Sequence, residues 1–223
     1  MDGERSAAGG PIDRRRVAAR RSARARAGIA PGSDFLMARA AEETAARLGI
    51  VSRRFAVAVD LGGLGDRPSR MRAAAPNVGR VIRAHSLVAC SVPDGADPGA
   101  RIVCDEESLP FRQASLDLVV SLLALHLVND LPGALVQIRR ALRPDGLFLA
   151  AVPAGDTLHE LRASLIAADV DIAGGARPRI APFAPIETLA GLLQRAGFAL
   201  PVVDVDRVVV RDGSLAALLA DLS

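Results

Sequence analysis

Apolar runs of four to nine residues recur along the chain, each followed by a polar or glycine-rich break and then by apolar positions at helical spacing. Residues 56–59, 79–84, 101–104, 116–123, 147–152 and 202–210 read as strands. The run at 116–123, Leu-Asp-Leu-Val-Val-Ser-Leu-Leu, is almost wholly apolar, as a central strand covered on both faces must be. Between the strands, helices are predicted over 34–48, 68–75, 158–168 and 186–196. A further helix starts at Asp130, carries Pro132 in its first turn and an apolar stripe of Leu135, Ile138 and Leu142, and ends at Pro144-Asp-Gly146. Asp34 is the predicted cap and Gly49 the stop of the helix over 34–48. Strand–helix alternation of this kind predicts an α/β three-layer sandwich, Rossmann-like, with a mostly parallel sheet. Such sheets bind ligands at the carboxyl ends of their strands.

Composition changes this picture mainly at the N-terminus. At 223 residues, half of them hydrophobic, the chain has room for one good-sized α/β domain. It contains no lysine, so arginine carries all the positive side-chain charge. Residues 1–27 hold eight arginines against three acids, a local +5, so the remaining 20 arginines and 22 acids leave the rest of the chain at −2. The expected organisation is an Arg-rich arm over 1–32, helical from 14 to 27, and one domain over 33–223. The arm fits either an acidic partner or nucleic acid, or a solvated helix face. Because no aromatics are interleaved for stacking, the solvated face is favoured and nucleic acid is not expected. Cys90 and Cys104 have neither metal-ligand nor CxxC spacing and fit a reduced, cytoplasmic protein. No apolar segment of membrane-spanning length and no secretory signal is found in the sequence.

Three strand ends carry the candidate chemistry. The first is Asp60, followed by Gly62, Gly63 and Gly65, where the missing Cβ atoms allow close backbone approach. The second is Asp105-Glu106, in Ile-Val-Cys-Asp-Glu-Glu-Ser-Leu-Pro-Phe. The third is Leu125-His126, after the strand over 116–123, leading into Val128-Asn129-Asp130. An ionised carboxylate accepts several hydrogen bonds and can hold an amino group, ribose hydroxyls or an adenine amine. Read singly, Asp105 also fits the start of a turn, Asp60 a cap of the following loop, and His126 packing under a loop.

The motifs Asp-Leu-Gly, Asp-x-Glu-x-Leu-Pro-Phe, Leu-Asp-Leu-Val-Val-Ser and Leu-x-Pro-Asp-Gly-x-Phe resemble those of class I S-adenosylmethionine-dependent methyltransferases. Ser121-Leu-Leu-Ala-Leu-His-Leu-Val-Asn-Asp-Leu-Pro132, Gly155-Asp-Thr-Leu-His-Glu-Leu-Arg162, Ile180-Ala-Pro-Phe183 and Leu192-Leu-Gln-Arg-Ala-Gly-Phe198 narrow the resemblance. They look like the complex I assembly factor 5 family, whose related branch is the malonyl-carrier-protein methyltransferase of biotin synthesis. This resemblance runs from about Ile12 to the end of the chain. It implies S-adenosylmethionine or S-adenosylhomocysteine as cofactor and a small-molecule or protein methyl acceptor. Asp60 and Gly62 would lie against the methionine part, with Gly63 and Gly65 serving the cofactor in a loop of shifted register, and His85 at the ribose end. Asp105 would read the adenine amine beside Glu106 and Leu122, and His126, the candidate catalytic residue, would line the acceptor mouth. A nicotinamide dehydrogenase fits the alternation but not the Leu-Pro-Phe and His-Leu-Val-Asn-Asp blocks.

The chain departs from the family pattern in three places. Leu64 and Asp66 stand where the family has its second and third glycines. His85 stands where an acid grips both ribose hydroxyls, and losing such charge-assisted bonds costs about 1.5–3 kcal/mol each. After the strand over 202–210 the family's last strand is missing, and an uncovered sheet edge predicts a homodimer or an unstable monomer. These losses also motivate an alternative: a degenerate member that assists assembly of respiratory complex I, or acts like an arginine hydroxylase, without methyl transfer.

Overall fold

The computed structural model describes residues 10–27, 34–62, 75–86 and 100–221. The helix expected over 68–75, together with Gly63, Leu64, Gly65, Asp66 and Cys90, lies outside the described residues, apart from Ala75. The strands are β1 (Phe55–Leu61), β2 (Val78–His85), β3 (Arg101–Val103), β4 (Leu116–Leu122) and β5 (Leu142–Ala151), in the sheet order β3-β2-β1-β4-β5. Every pairing is parallel. The central position of β4 explains its sequence, because each of its residues is buried, Asp117 and Ser121 included.

Helices cover both faces. On one face α2 (Phe35–Gly49) sets Leu48 against Phe55, Ala58, Val81, Leu118, Val120 and Leu122. On the other, α3 (Leu131–Ala141) sets Ile138 and Ala141 against Val59, Leu61, Val119 and Leu125. Residues two apart on a strand share a face, so the alternation along β1 and β4 builds both cores at once. Fully burying a side chain such as Leu118 contributes about 1.5–3 kcal/mol. Asp130 caps α3 as expected, its carboxylate accepting from Gly133 N–H at 2.8 Å. Asp34 stands at the start of α2, but its side chain makes no capping bond.

Two boundaries differ from expectation. Leu142 does not belong to the α3 stripe; it opens β5, pairing with Leu116 across a register shift before Leu118. Pro144-Asp-Gly146 therefore lies inside the irregular start of β5 rather than in a helix stop. More consequentially, residues 202–210 form no strand. Their β-branched composition suits a sheet, but strand propensity needs a neighbouring edge to pair with. The segment instead lies along α2, with Asp204 bonded to Arg47 at 2.7 Å and Asp206 to Arg39 at 2.5 Å. Val202 and Val209 remain exposed.

The remaining helices are α1 (Arg14–Ala27), α4 (His159–Ala173), α5 (Ile186–Arg195) and α6 (Leu215–Asp221). Phe198, just past α5, stacks on Phe148 of β5 with ring centroids 5.3 Å apart. Among the described residues no helix is long and apolar enough to cross a membrane.

Candidate functional site

The carboxyl ends of β1, β2, β3 and β4 bring the predicted residues together. Asp60 is buried near the end of β1, aligned in register with Arg83 of β2 and Val120 of β4. The chain then turns at Gly62, with φ +75°, and its N–H donates to Ala84 O at 2.7 Å. A Cβ at Gly62 would come within 2.3 Å of the Ala124 Cβ and 3.4 Å of Glu106 Oε1. Glycine is therefore required here by both backbone and space. Gly62 thereby joins the ends of β1, β3 and β4.

His85 closes β2 and is buried. Burial pushes its imidazole below the ordinary value, and Arg83 and Arg101 add to this against the charges of Asp60 and Glu106. It is thus neutral at pH 7, an acceptor or donor of single hydrogen bonds. Cys104, next on the chain after β3, has its thiol pushed up to about 11 by burial, with Glu106 and Asp105 pushing the same way, so it stays a thiol.

Asp105 does begin a turn: Ser108 N–H donates to its carbonyl at 3.0 Å, and Glu107 N–H to its Oδ1 at 2.9 Å. Its side chain still keeps 49% of its surface exposed, so turn-building does not consume the carboxylate. Glu106 differs sharply, with a side chain 0% exposed. Its Oε2 accepts from Arg14 at 2.5 Å and its Oε1 from Arg21 at 2.9 Å. Arg14 also donates to Asp105 Oδ1 at 2.6 Å and to Leu127 O at 2.7 Å. Burial works against the Arg14 charge, but hydrogen bonds and charge from Glu106 and Asp105 hold its pKa above the ordinary value.

These contacts correct the expectation for the arm. Among the described side chains of α1, Arg14, Val17, Ala18, Arg21 and Ser22 are partly buried, one helical face, while Arg15, Arg16, Ala19 and Arg20 are exposed. Only the outer face is solvated; the inner one meets an acidic partner within the same chain. The seven-residue spacing of Arg14 and Arg21, with apolar Val17 and Ala18 between, was the available signal.

The loop after β4 completes the site. Leu122 is buried at the strand end, and Leu123 adopts φ +50° with its N–H on Ala151 O at 2.8 Å. Leu125–Leu127 form a 3-10 turn that carries His126. The His126 Nδ1 is buried with no hydrogen-bond partner among the described residues, and its ring lies 6.1 Å from that of Phe183. Burial lowers its pKa to about 4, with the Arg21 charge assisting. Glu107 organises this loop, its Oε1 accepting from the N–H groups of Asn129 and Asp130. Glu107 was missed as a site residue although it is the Glu of Asp-x-Glu-x-Leu-Pro-Phe. Arg179, in the segment beyond α4, meets Asp169 rather than the site, its Nη2 2.6 Å from Oδ1.

Residues 75–150 match the family model described as a methyltransferase domain. Over 194 residues the chain is 40% identical to the mitochondrial arginine-hydroxylase NDUFAF5 of Mus musculus, an alignment covering 85% of this chain and 55% of that one. It is 38% identical over 123 residues to the malonyl-[acyl-carrier protein] O-methyltransferase of Laribacter hongkongensis, covering 55% of this chain and 39% of that one. The chain thus spans about half the length, or less, of these curated relatives. Its fold is similar to that in a Haloferax volcanii complex between the Trm112 methyltransferase activator and a methyltransferase. There the TM-score is 0.55 and the identity 20%, with 74% of this chain and 71% of that one covered. By its strand order and these similarities, the chain has the Rossmann-like α/β fold of class I methyltransferases.

Proposed function

We propose that the carboxyl end of the sheet binds S-adenosylmethionine and that the protein transfers its methyl group to a small-molecule or protein acceptor entering beside His126. The observation that carries this reading is the convergence of Asp60, the left-handed Gly62, half-exposed Asp105 and His126 Nδ1 at adjoining strand ends. The donor set fits the cofactor. Asp60 holds the ammonium of the methionine part, Gly62 lets the loop turn close to it, and Asp105 accepts from the adenine amine. His85, being neutral, makes one ribose bond where an acid would make two. Glu106 acts one step back, its carboxylate holding Arg14 and Arg21.

When bound, the sulfonium supplies an already activated methyl group. The work left to the chain is alignment and exclusion of water. Phe183 and the 3-10 turn wall the acceptor side, and His126 orients the acceptor by a hydrogen bond from a ring that stays neutral at pH 7. The similarity to a malonyl-[acyl-carrier protein] O-methyltransferase supports methyl transfer as the chemistry.

Calorimetric titration of the full chain with S-adenosylmethionine and S-adenosylhomocysteine tests this reading. One ligand per chain with micromolar affinity is expected, and silence at millimolar concentration contradicts it. His85→Asp is expected to tighten binding about tenfold by restoring the second, charge-assisted ribose bond. No gain would mean that position 85 does not face the ribose.

A further inference from the structure

The inner face of α1 does more than neutralise Glu106. Arg14 reaches the turns after two different strands at once. Its Nη2 contacts Asp105 and Glu106 beyond β3, and its Nη1 contacts Leu127 O in the turn beyond β4. Just ahead of the helix, Ile12 and Asn129 exchange two hydrogen bonds: Ile12 N–H to Asn129 Oδ1 at 3.0 Å, and Asn129 Nδ2–H to Ile12 O at 3.0 Å. About two turns after Arg14, Arg21 takes the second oxygen of Glu106. The segment from Ile12 to Arg21 is therefore strapped across the gap between the β3 and β4 ends. On the cofactor reading above, that gap is where a purine held by Asp105 would lie.

The two acids under the strap are treated differently, and this difference decides its role. Glu106 is fully enclosed with both oxygens bonded to guanidinium groups, the arrangement of an anchor. Asp105 gives Oδ1 to Arg14 and to Glu107 N–H, yet half of its side-chain surface stays open. A plug would have covered both carboxylates. A carboxylate pinned through one oxygen presents the other in a fixed direction, which is how a single acceptor discriminates between ligand edges.

We propose that α1 is the roof of the nucleoside site, latched on Glu106 by Arg14 and Arg21. In this roof Arg14 is a positioning residue that aims the second oxygen of Asp105 at the exocyclic amine of a 6-aminopurine. The inference rests on the cofactor reading above and specifies how that cofactor's base is chosen. The exposed arginines of the outer face, Arg15, Arg16 and Arg20, take no part in it.

The test compares S-adenosylhomocysteine with S-inosylhomocysteine, which has a carbonyl oxygen in place of the amine, by calorimetry on the full-length wild type, Arg14→Ala and Arg16→Ala. Wild type and Arg16→Ala are expected to prefer the adenine ligand by about tenfold or more, the worth of a charge-assisted hydrogen bond. Arg14→Ala is expected to bring the two ligands within about threefold of each other, because a carboxylate held by the Glu107 N–H alone can turn away. If Arg14→Ala weakens both ligands equally and keeps the ratio, the positioning role is overturned while the cofactor reading stands. If the wild type binds neither ligand, the cofactor reading itself falls and the purine role with it. The latch is read without ligand: Glu106→Gln is expected to speed amide hydrogen exchange across residues 14–23 by at least about tenfold. Unchanged exchange there would overturn the latch.

Discussion

The two ends of the same sheet solve the problem of buried polar groups in opposite ways. At the amino ends the polar side chains of Asp117 and Asn77 are tied into the structure, although Asn77 Oδ1 finds no partner among the described residues. Asp117 accepts from Val57 N–H at 2.9 Å and from Arg143 at 2.5 Å. Burial opposes its charge, but those two bonds outweigh it and hold its carboxyl below the usual range. Asn77 Nδ2 donates to the carbonyls of Leu48, Val51 and Arg53, closing the passage from α2 into β1. At the carboxyl ends the backbone takes left-handed turns at Gly62 and Leu123, Asp105 stays half open and His126 Nδ1 lacks a partner among the described residues. Left-handed backbone and an unpaired buried atom also occur at the amino ends, at Ala114 and Asn77 Oδ1, so what sets the carboxyl ends apart is their half-open carboxylate together with an unpaired histidine nitrogen. One sheet thus has a locked end and a receptive end.

That contrast is broken most severely from the locked side. Asp117→Ala removes the acceptor for Val57 N–H and leaves Arg143 without its partner, and is expected to cost about 3 kcal/mol in urea unfolding. Because Asp117 lies far along β4 from the site, the folded fraction should keep its S-adenosylhomocysteine affinity. Gly62→Ala should lower stability by about 2 kcal/mol, since a side chain in the left-handed region is strained and its Cβ would meet Ala124. Unlike the Asp117 change, it should also abolish measurable ligand binding in the same titration.

Asp105→Asn is the reverse case. Stability should move by no more than about 0.5 kcal/mol, because the group is half exposed, while affinity falls about tenfold through loss of the charge-assisted acceptor. Acid sensitivity sharpens the comparison further. His85 and His126 are held neutral in the fold, so below about pH 6.5 the unfolded chain binds more protons than the native one. Stability should therefore fall progressively from about pH 6.5 towards about 4, and His126→Asn should flatten that part of the profile.

The locked end and the layer plan were legible because burial on both faces leaves a direct trace. The run from Leu116 to Leu122 has no other economical reading than a central strand, and Asp130 with Pro132 announces α3. Where pairing rather than composition decides, the residues were silent. Residues 202–210 have every local mark of a strand yet lie along α2, held by Arg39 and Arg47. Leu142 reads as the last step of a helical stripe and is instead the first of β5, because its partner Leu116 lies across a bulge. At the receptive end Asp60, Gly62, His85, Asp105 and His126 were all named and all converge. Arg14 and Arg21 were not, because a helix dense in arginine does not reveal which of its charges turn inward until the acids they meet are placed by the sheet.

A hydrogen-exchange footprint of S-adenosylhomocysteine on the full chain tests the division between the two ends most directly. The account predicts slowed exchange at residues 61–62, 104–107 and 122–128, with residues 53–57, 76–78 and 115–118 unchanged. Protection confined to the amino ends of the strands, or no protection at a concentration that saturates binding, would contradict it.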